Sequence, residues 1–112
     1  MAIVAVAYTR ARSRDERRGG HGFPRLPADL LRAPTTWVVF TTPYCASCDS
    51  VEATLHRTFP GDAVVKVDAT VEVELADRYA VRRAPTVLRA DARGTVTDRL
   101  VGADAVQRLV PA

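Results

Sequence analysis

Four consecutive apolar residues, Trp37-Val38-Val39-Phe40, stand between Thr35-Thr36 and Thr41-Thr42. A short run this rich in β-branched and aromatic side chains predicts a central strand covered on both faces. Beyond it the period changes. Val51, Leu55 and Phe59 recur every four residues, which predicts an amphipathic helix opening at Cys48 with one buried stripe. Phe59-Pro60-Gly61-Asp62 is a stop and turn signal, and residues 63–68 follow as a second strand. A second helix is predicted over about 70–79, with Val71, Leu75 and Tyr79 as its buried stripe and Glu72 and Glu74 in its first turn. Residues 86–89 and 95–101 read as short strands joined by Asp91-Ala92-Arg93-Gly94, where Gly94 suits a left-handed turn position. Gly102 leads into a last helix carrying Val106, Leu109 and Val110, with Asp104 as cap or first-turn acid. Strand and helix alternating in this way imply an α/β fold with parallel pairing and a right-handed crossover. Pro85 removes a ladder donor at the start of its strand, which places it at an edge or an irregular strand start.

Ahead of the first strand the pattern divides the chain into 1–33 (apolar and basic tail, linker and short helix) and 34–112 (the domain). Residues 1–8 are apolar and give way at once to arginines. Eight residues cannot span a bilayer, which takes about 20 in helical form. The order of charge and apolar run is also wrong for a signal peptide. Three readings stay open: an edge strand, a tail, or the last turns of a transmembrane helix that begins upstream. The third puts the domain at the cytoplasmic face of a membrane. Gly19, Gly20 and Gly22 mark a linker, and Pro27 begins one or two helical turns that Pro34 ends.

Charge changes this picture little. Residues 10–18 hold five arginines against Asp15 and Glu16, which accounts for the whole net charge of +3. The domain itself is neutral and has no basic face interleaved with aromatics, so nucleic acid is not an expected partner. Arg82 and Arg83 read as solvated loop charges or as a flank that favours acidic partners.

The two cysteines carry the chemistry. Cys45 and Cys48 are three apart, too close to staple a fold. They fall where a strand turns into a helix. Unpaired N–H groups and the helix dipole there stabilise a thiolate, the nucleophile of disulfide exchange. Two buried small hydrophobes would be the bland alternative. Zinc is the sharper one, but a closed site needs four ligands. His56 lies roughly 12 Å along the helix from Cys48 by helical rise, and His21 sits in the linker. Zinc is therefore not expected in a monomer; two Cys pairs could bridge a metal only across a dimer.

Residues 37–40 leading to Cys45 and Cys48, then 64–68, then Ala84-Pro85-Thr86, then Gly102-Ala103 follow one order. In this order the chain resembles the thioredoxin superfamily over about 34–111. The tail resembles those of membrane-anchored bacterial members. The resemblance implies a thioredoxin-like fold, a central mixed β-sheet flanked by helices. It implies thiol–disulfide oxidoreduction in cell redox homeostasis, with Cys45 attacking and Cys48 the more buried resolving thiol. Pro85 would be cis and face the cysteines, Ala84 would offer backbone hydrogen bonds to a substrate, and Tyr44 would be a contact beside the thiol. Protein disulfides and an electron-donating reductase are the implied partners of a monomeric cytoplasmic domain, with no cofactor beyond the electron source. The chain departs from the family pattern in three places. Tyr44 replaces a tryptophan, Ala46-Ser47 replace Gly-Pro, and Val39 stands where a buried acid is usual. Valine carries no proton to or from Cys48. The lost acid favours a second reading: a non-catalytic binding or assembly module holding a partner or a metal at the groove.

Overall fold

The sheet is built around strand β1 (Thr36–Thr41), all six residues of which are buried. In the computed structural model, which describes residues 22–111, β1 lies between β2 (Ala63–Asp68) and β3 (Thr86–Ala90), and β4 (Val96–Val101) completes the order β2-β1-β3-β4. The pairing of β1 with β2 is parallel and the other two pairings are antiparallel, so the sheet is mixed. Helices α1 (Cys48–Thr58), α2 (Val73–Arg78) and α3 (Ala103–Gln107) flank it. The apolar run 1–8, the arginine segment and His21 lie outside the described residues. Among those described, no helix is long and apolar enough to cross a membrane.

Alternation along β1 makes two cores. Trp37 and Val39 face one way and pack with Val51 and Leu55 of α1, Val87 and Val106. Val38 and Phe40 face the other way and pack with Val67, Ala76, Tyr79, Leu88 and Leu26. Register keeps like with like: Val39 stands beside Val87 and Val38 beside Leu88, which are same-face cross-strand pairs. Each large side chain buried this fully contributes about 1.5–3 kcal/mol. The expected strand covered on both faces is therefore present.

Among the described residues, packing onto the sheet begins at Phe23 and Leu26. The segment is held by Leu26 N–H donating to the Gly94 carbonyl (2.9 Å) and by the Tyr79 hydroxyl donating to the Arg25 carbonyl (2.8 Å). After Pro27 comes one 3₁₀ turn, Ala28–Leu30. Gly94 has φ +87°, and a β-carbon there would lie 2.8 Å from the Leu26 carbonyl oxygen. The hairpin turn therefore needs glycine for conformation and for space.

The second helix is shorter than the pattern predicts. Asp68 accounts for this: its carboxylate accepts from Thr70 N–H (2.8 Å) and Thr70 Oγ (2.6 Å), and its carbonyl accepts from the N–H groups of Val71 and Glu72. This turn holds 70–72 out of the helix, which starts at Val73. Of the expected stripe, Tyr79 is fully buried and Leu75 half-buried, but Val71 is 72% exposed. Two other positions shift similarly. Phe59 follows α1 as its C-cap and stacks on Trp37 at 4.9 Å. Leu109 and Val110 lie past α3, in i→i+3 turns donated to Val106 and Gln107.

Candidate active site

Among the described residues, the cysteine pair and the Ala84–Pro85 loop gather at one end of the sheet. Phe40 pairs with Thr86, and Thr86 with Val101. The turn leaving β1, the turn entering β3 and the turn leaving β4 therefore emerge side by side. The first carries Pro43, Tyr44 and Cys45, the second Ala84-Pro85, and the third Gly102.

Thr41 ends β1, and Cys45 N–H donates to the Thr42 carbonyl (3.1 Å), closing the turn before α1. Cys48 is the first helical residue and Ser47 its N-cap, with no side-chain cap bond. The two sulfurs form a disulfide with an S–S distance of 2.06 Å and Cα atoms 5.5 Å apart. Their surroundings differ. Cys45 is partly exposed, whereas Cys48, at the start of α1, is 4% exposed. Ser47 Oγ lies 4.0 Å from Cys45 Sγ. Tyr44 is 92% exposed and projects beside the outer cysteine.

The Ala84–Pro85 peptide bond is cis, as the resemblance implied, and Pro85 is buried. β3 is an inner strand, so of the two expected places for Pro85 the structure takes the irregular start. The loop is fixed on both sides. Thr86 Oγ donates to the Arg83 carbonyl (2.6 Å), and Gly102 N–H donates to the Pro85 carbonyl (2.8 Å). Gly102 takes φ +89°, a conformation other residues adopt at a cost.

Charge is arranged on either side. On the α1 and β2 side, Lys66 Nζ lies 3.7 Å from both Asp49 and Glu52. Lys66 is also the register partner of Val39. Asp68 lines the same shallow depression as Thr42, Pro43 and Lys66. The Thr70 hydroxyl and N–H hold its carboxyl below the ordinary value of 3.8. On the other side Arg82 and Arg83 are exposed. Val39 itself is fully buried among apolar side chains.

The structure thus brings Cys45, Cys48, Tyr44, Ala84 and Pro85 to one end of the fold and leaves His56 exposed on α1. Sequence reasoning missed the Lys66–Asp49–Glu52 group. Its only signal was the i,i+3 spacing of two acids on the helix, because the lysine comes from a strand whose register was not known. Among the described residues no cluster of His, Cys, Asp or Glu is arranged to hold a metal.

A parallel–antiparallel sheet with a cysteine pair at the strand-to-helix turn and a cis-proline alongside defines a dithiol–disulfide domain of the thioredoxin fold. The protein-family model described as Thioredoxin matches residues 28–111. The chain belongs to the thioredoxin family. Solved structures agree in fold. Oxidised mitochondrial thioredoxin 3 of Saccharomyces cerevisiae superposes with a TM-score of 0.58 at 18% identity, covering 70% of this chain and 76% of that one. Thioredoxin of Trypanosoma brucei brucei gives 0.59 at 24% identity, covering 72% and 74%. Oxidised thioredoxin of Plasmodium falciparum gives 0.59 at 21% identity, covering 73% and 83%. Among curated proteins none matches. Family and cysteine pair together support thiol–disulfide oxidoreduction as the general activity.

Proposed function

We propose that the protein reduces disulfides in other proteins through Cys45 and Cys48. The observation that supports this most is the asymmetry of the pair: one partly exposed cysteine beside one that is 4% exposed. The Cys45 thiolate attacks one sulfur of the partner's disulfide, and the first partner thiol leaves. Cys48 then attacks Cys45 of the mixed disulfide, releasing the second thiol. Two partner thiols form and the Cys45–Cys48 dithiol becomes a disulfide. An external dithiol, supplied in the cell by a reductase, restores the pair. Ala84 and Pro85 would align the partner's chain, and Tyr44 would pack against it. We place the domain as a monomer in the cytoplasm, where thiols are kept reduced, tethered there if residues 1–8 continue an upstream membrane helix. Cell fractionation that finds it elsewhere counts against this.

The test is the full chain with a disulfide-linked protein substrate and a dithiol as electron source. Cys45→Ser should abolish reduction, and Cys48→Ser should accumulate a mixed disulfide visible without reductant. Parent-like activity in either variant would overturn the reading. Val39, in place of an acid, favours the second reading, a groove that holds a partner without turnover. A parent protein that co-purifies with a partner through reductant, and whose cysteines never cycle, would establish it.

A further inference from the structure

Charge is distributed unequally across the end of the sheet that carries Cys45. On the β2 side Asp49, Glu52 and Asp68 outnumber Lys66. On the β3 side Arg82 and Arg83 immediately precede Ala84–Pro85. The Arg82 side chain is 76% exposed and meets Asp77 at 3.9 Å, with Asp77 itself 72% exposed. A pair in that much water holds little of its charge in place. Among the described residues no carboxylate lies within 4.0 Å of the Arg83 guanidinium. It reaches over the start of α3 instead: a β-carbon on Gly102 would be 3.8 Å from Arg83 Nη2. The Arg83 carbonyl is fixed by Thr86 Oγ and the Pro85 carbonyl by Gly102 N–H. The two side chains thus leave a fixed backbone at the end of the sheet that also carries the cysteines, Arg82 turned toward Asp77 of α2 and Arg83 toward the start of α3, with their charge largely uncompensated among the described residues.

We propose that Arg82 and Arg83 select disulfide partners that carry Asp or Glu next to the cysteine under attack. This rests on the oxidoreductase reading. Any partner whose sulfur reaches Cys45 lays its flanking residues between the arginines and the acidic β2 side. An acidic residue on the β3 side of the attacked cysteine meets a guanidinium, a strong contact when a fork meets a carboxylate. A basic residue on that side meets like charge. The domain as a whole is neutral after Arg18, so this discrimination comes from local placement and not from net charge.

The test uses three peptide disulfides, identical except for flanking Glu, Gln or Lys, reduced by the full protein in single turnover. Each event oxidises one Cys45–Cys48 dithiol to its disulfide and reduces one peptide disulfide to two thiols. The Glu peptide should react about ten-fold faster than the Lys peptide at low salt. The gap should close to about two-fold near 1 M salt, where the screening length falls to about 3 Å. Arg82→Glu/Arg83→Glu should invert the order, and Arg82→Gln/Arg83→Gln should level it. Equal rates at low salt, or a Glu preference that survives both double variants, would overturn the proposal. If even the Gln peptide is not reduced, the oxidoreductase reading fails. The same peptides then serve as ligands: tighter binding of the Glu peptide, lost in the Glu double variant, supports the charge selection, and equal binding overturns it.

Discussion

Val39 stands opposite Lys66 on one side of β1 and opposite Val87 on the other, fully buried against α1. The position that usually carries an acid in this family is thus an apolar core position here, with the cation of its register partner Lys66 turned outward to Asp49 and Glu52. Lys66 cannot compensate for a carboxylate placed at Val39 without abandoning those partners. Val39→Asp should therefore fold with a loss of about 2–4 kcal/mol, the cost of a buried polar group without an established partner. Burial raises a carboxyl's pKa. An acid whose folded pKa lies above its unfolded one loses stability as pH rises through the folded value. Denaturant midpoints of parent and variant should consequently lie closest near pH 4 and separate towards pH 8. A gap that narrows over this range would mean that Lys66 has turned inward to pair.

Asp68 shifts in the opposite direction. The Thr70 hydroxyl and backbone N–H stabilise its ionised form and hold the carboxyl below 3.8. A depressed folded pKa contributes stability above the unfolded pKa, and that contribution disappears as pH falls through the folded value. Asp68→Asn should lower the melting temperature relative to the parent at pH 6, and the difference should shrink as pH falls below 3.8 and vanish once the carboxyl is protonated in the folded state. Because Asp68 sits in the turn that delays α2, amide exchange at Val71 and Glu72 should quicken in the same variant. An undiminished difference at low pH would assign the effect to shape and not to charge.

The sequence made the central strand, the first helix and the cysteine pair legible because each rests on local information. Residues 37–40 could be placed by composition alone, and Val51 and Leu55 by their period. Where reading failed, a side chain intervened that no periodicity reports. Val71 keeps the spacing of a buried stripe, yet the Asp68 turn leaves it in solvent. Phe59 keeps the spacing too, but stacks on Trp37 from outside the helix. The Lys66–Asp49–Glu52 group needed the register of β2 against β1, a long-range property. The cis bond at Pro85 came from the family resemblance, since an X-Pro pair by itself is nearly always trans.

Tyr79 joins the N-terminal segment to the domain. Its ring is buried between Phe40 and Phe23, at centroid distances of 6.5 and 6.0 Å, and its hydroxyl donates to the Arg25 carbonyl at 2.8 Å. Burial pushes the hydroxyl above its ordinary value of 10.0, so it remains protonated and able to donate throughout the neutral range. Tyr79→Phe keeps the ring and removes only the bond. The expected loss is about 1–2 kcal/mol, since the Arg25 carbonyl keeps some access to water. Tyr79→Ala removes the ring as well and should cost about 3–5 kcal/mol. The two variants separate local from global effects. With Phe, exchange of the Leu26 amide, which donates to Gly94, should quicken more than that of β1 amides. With Ala, both should quicken together. Uniform acceleration in the Phe variant would mean that 23–26 unfolds only with the sheet.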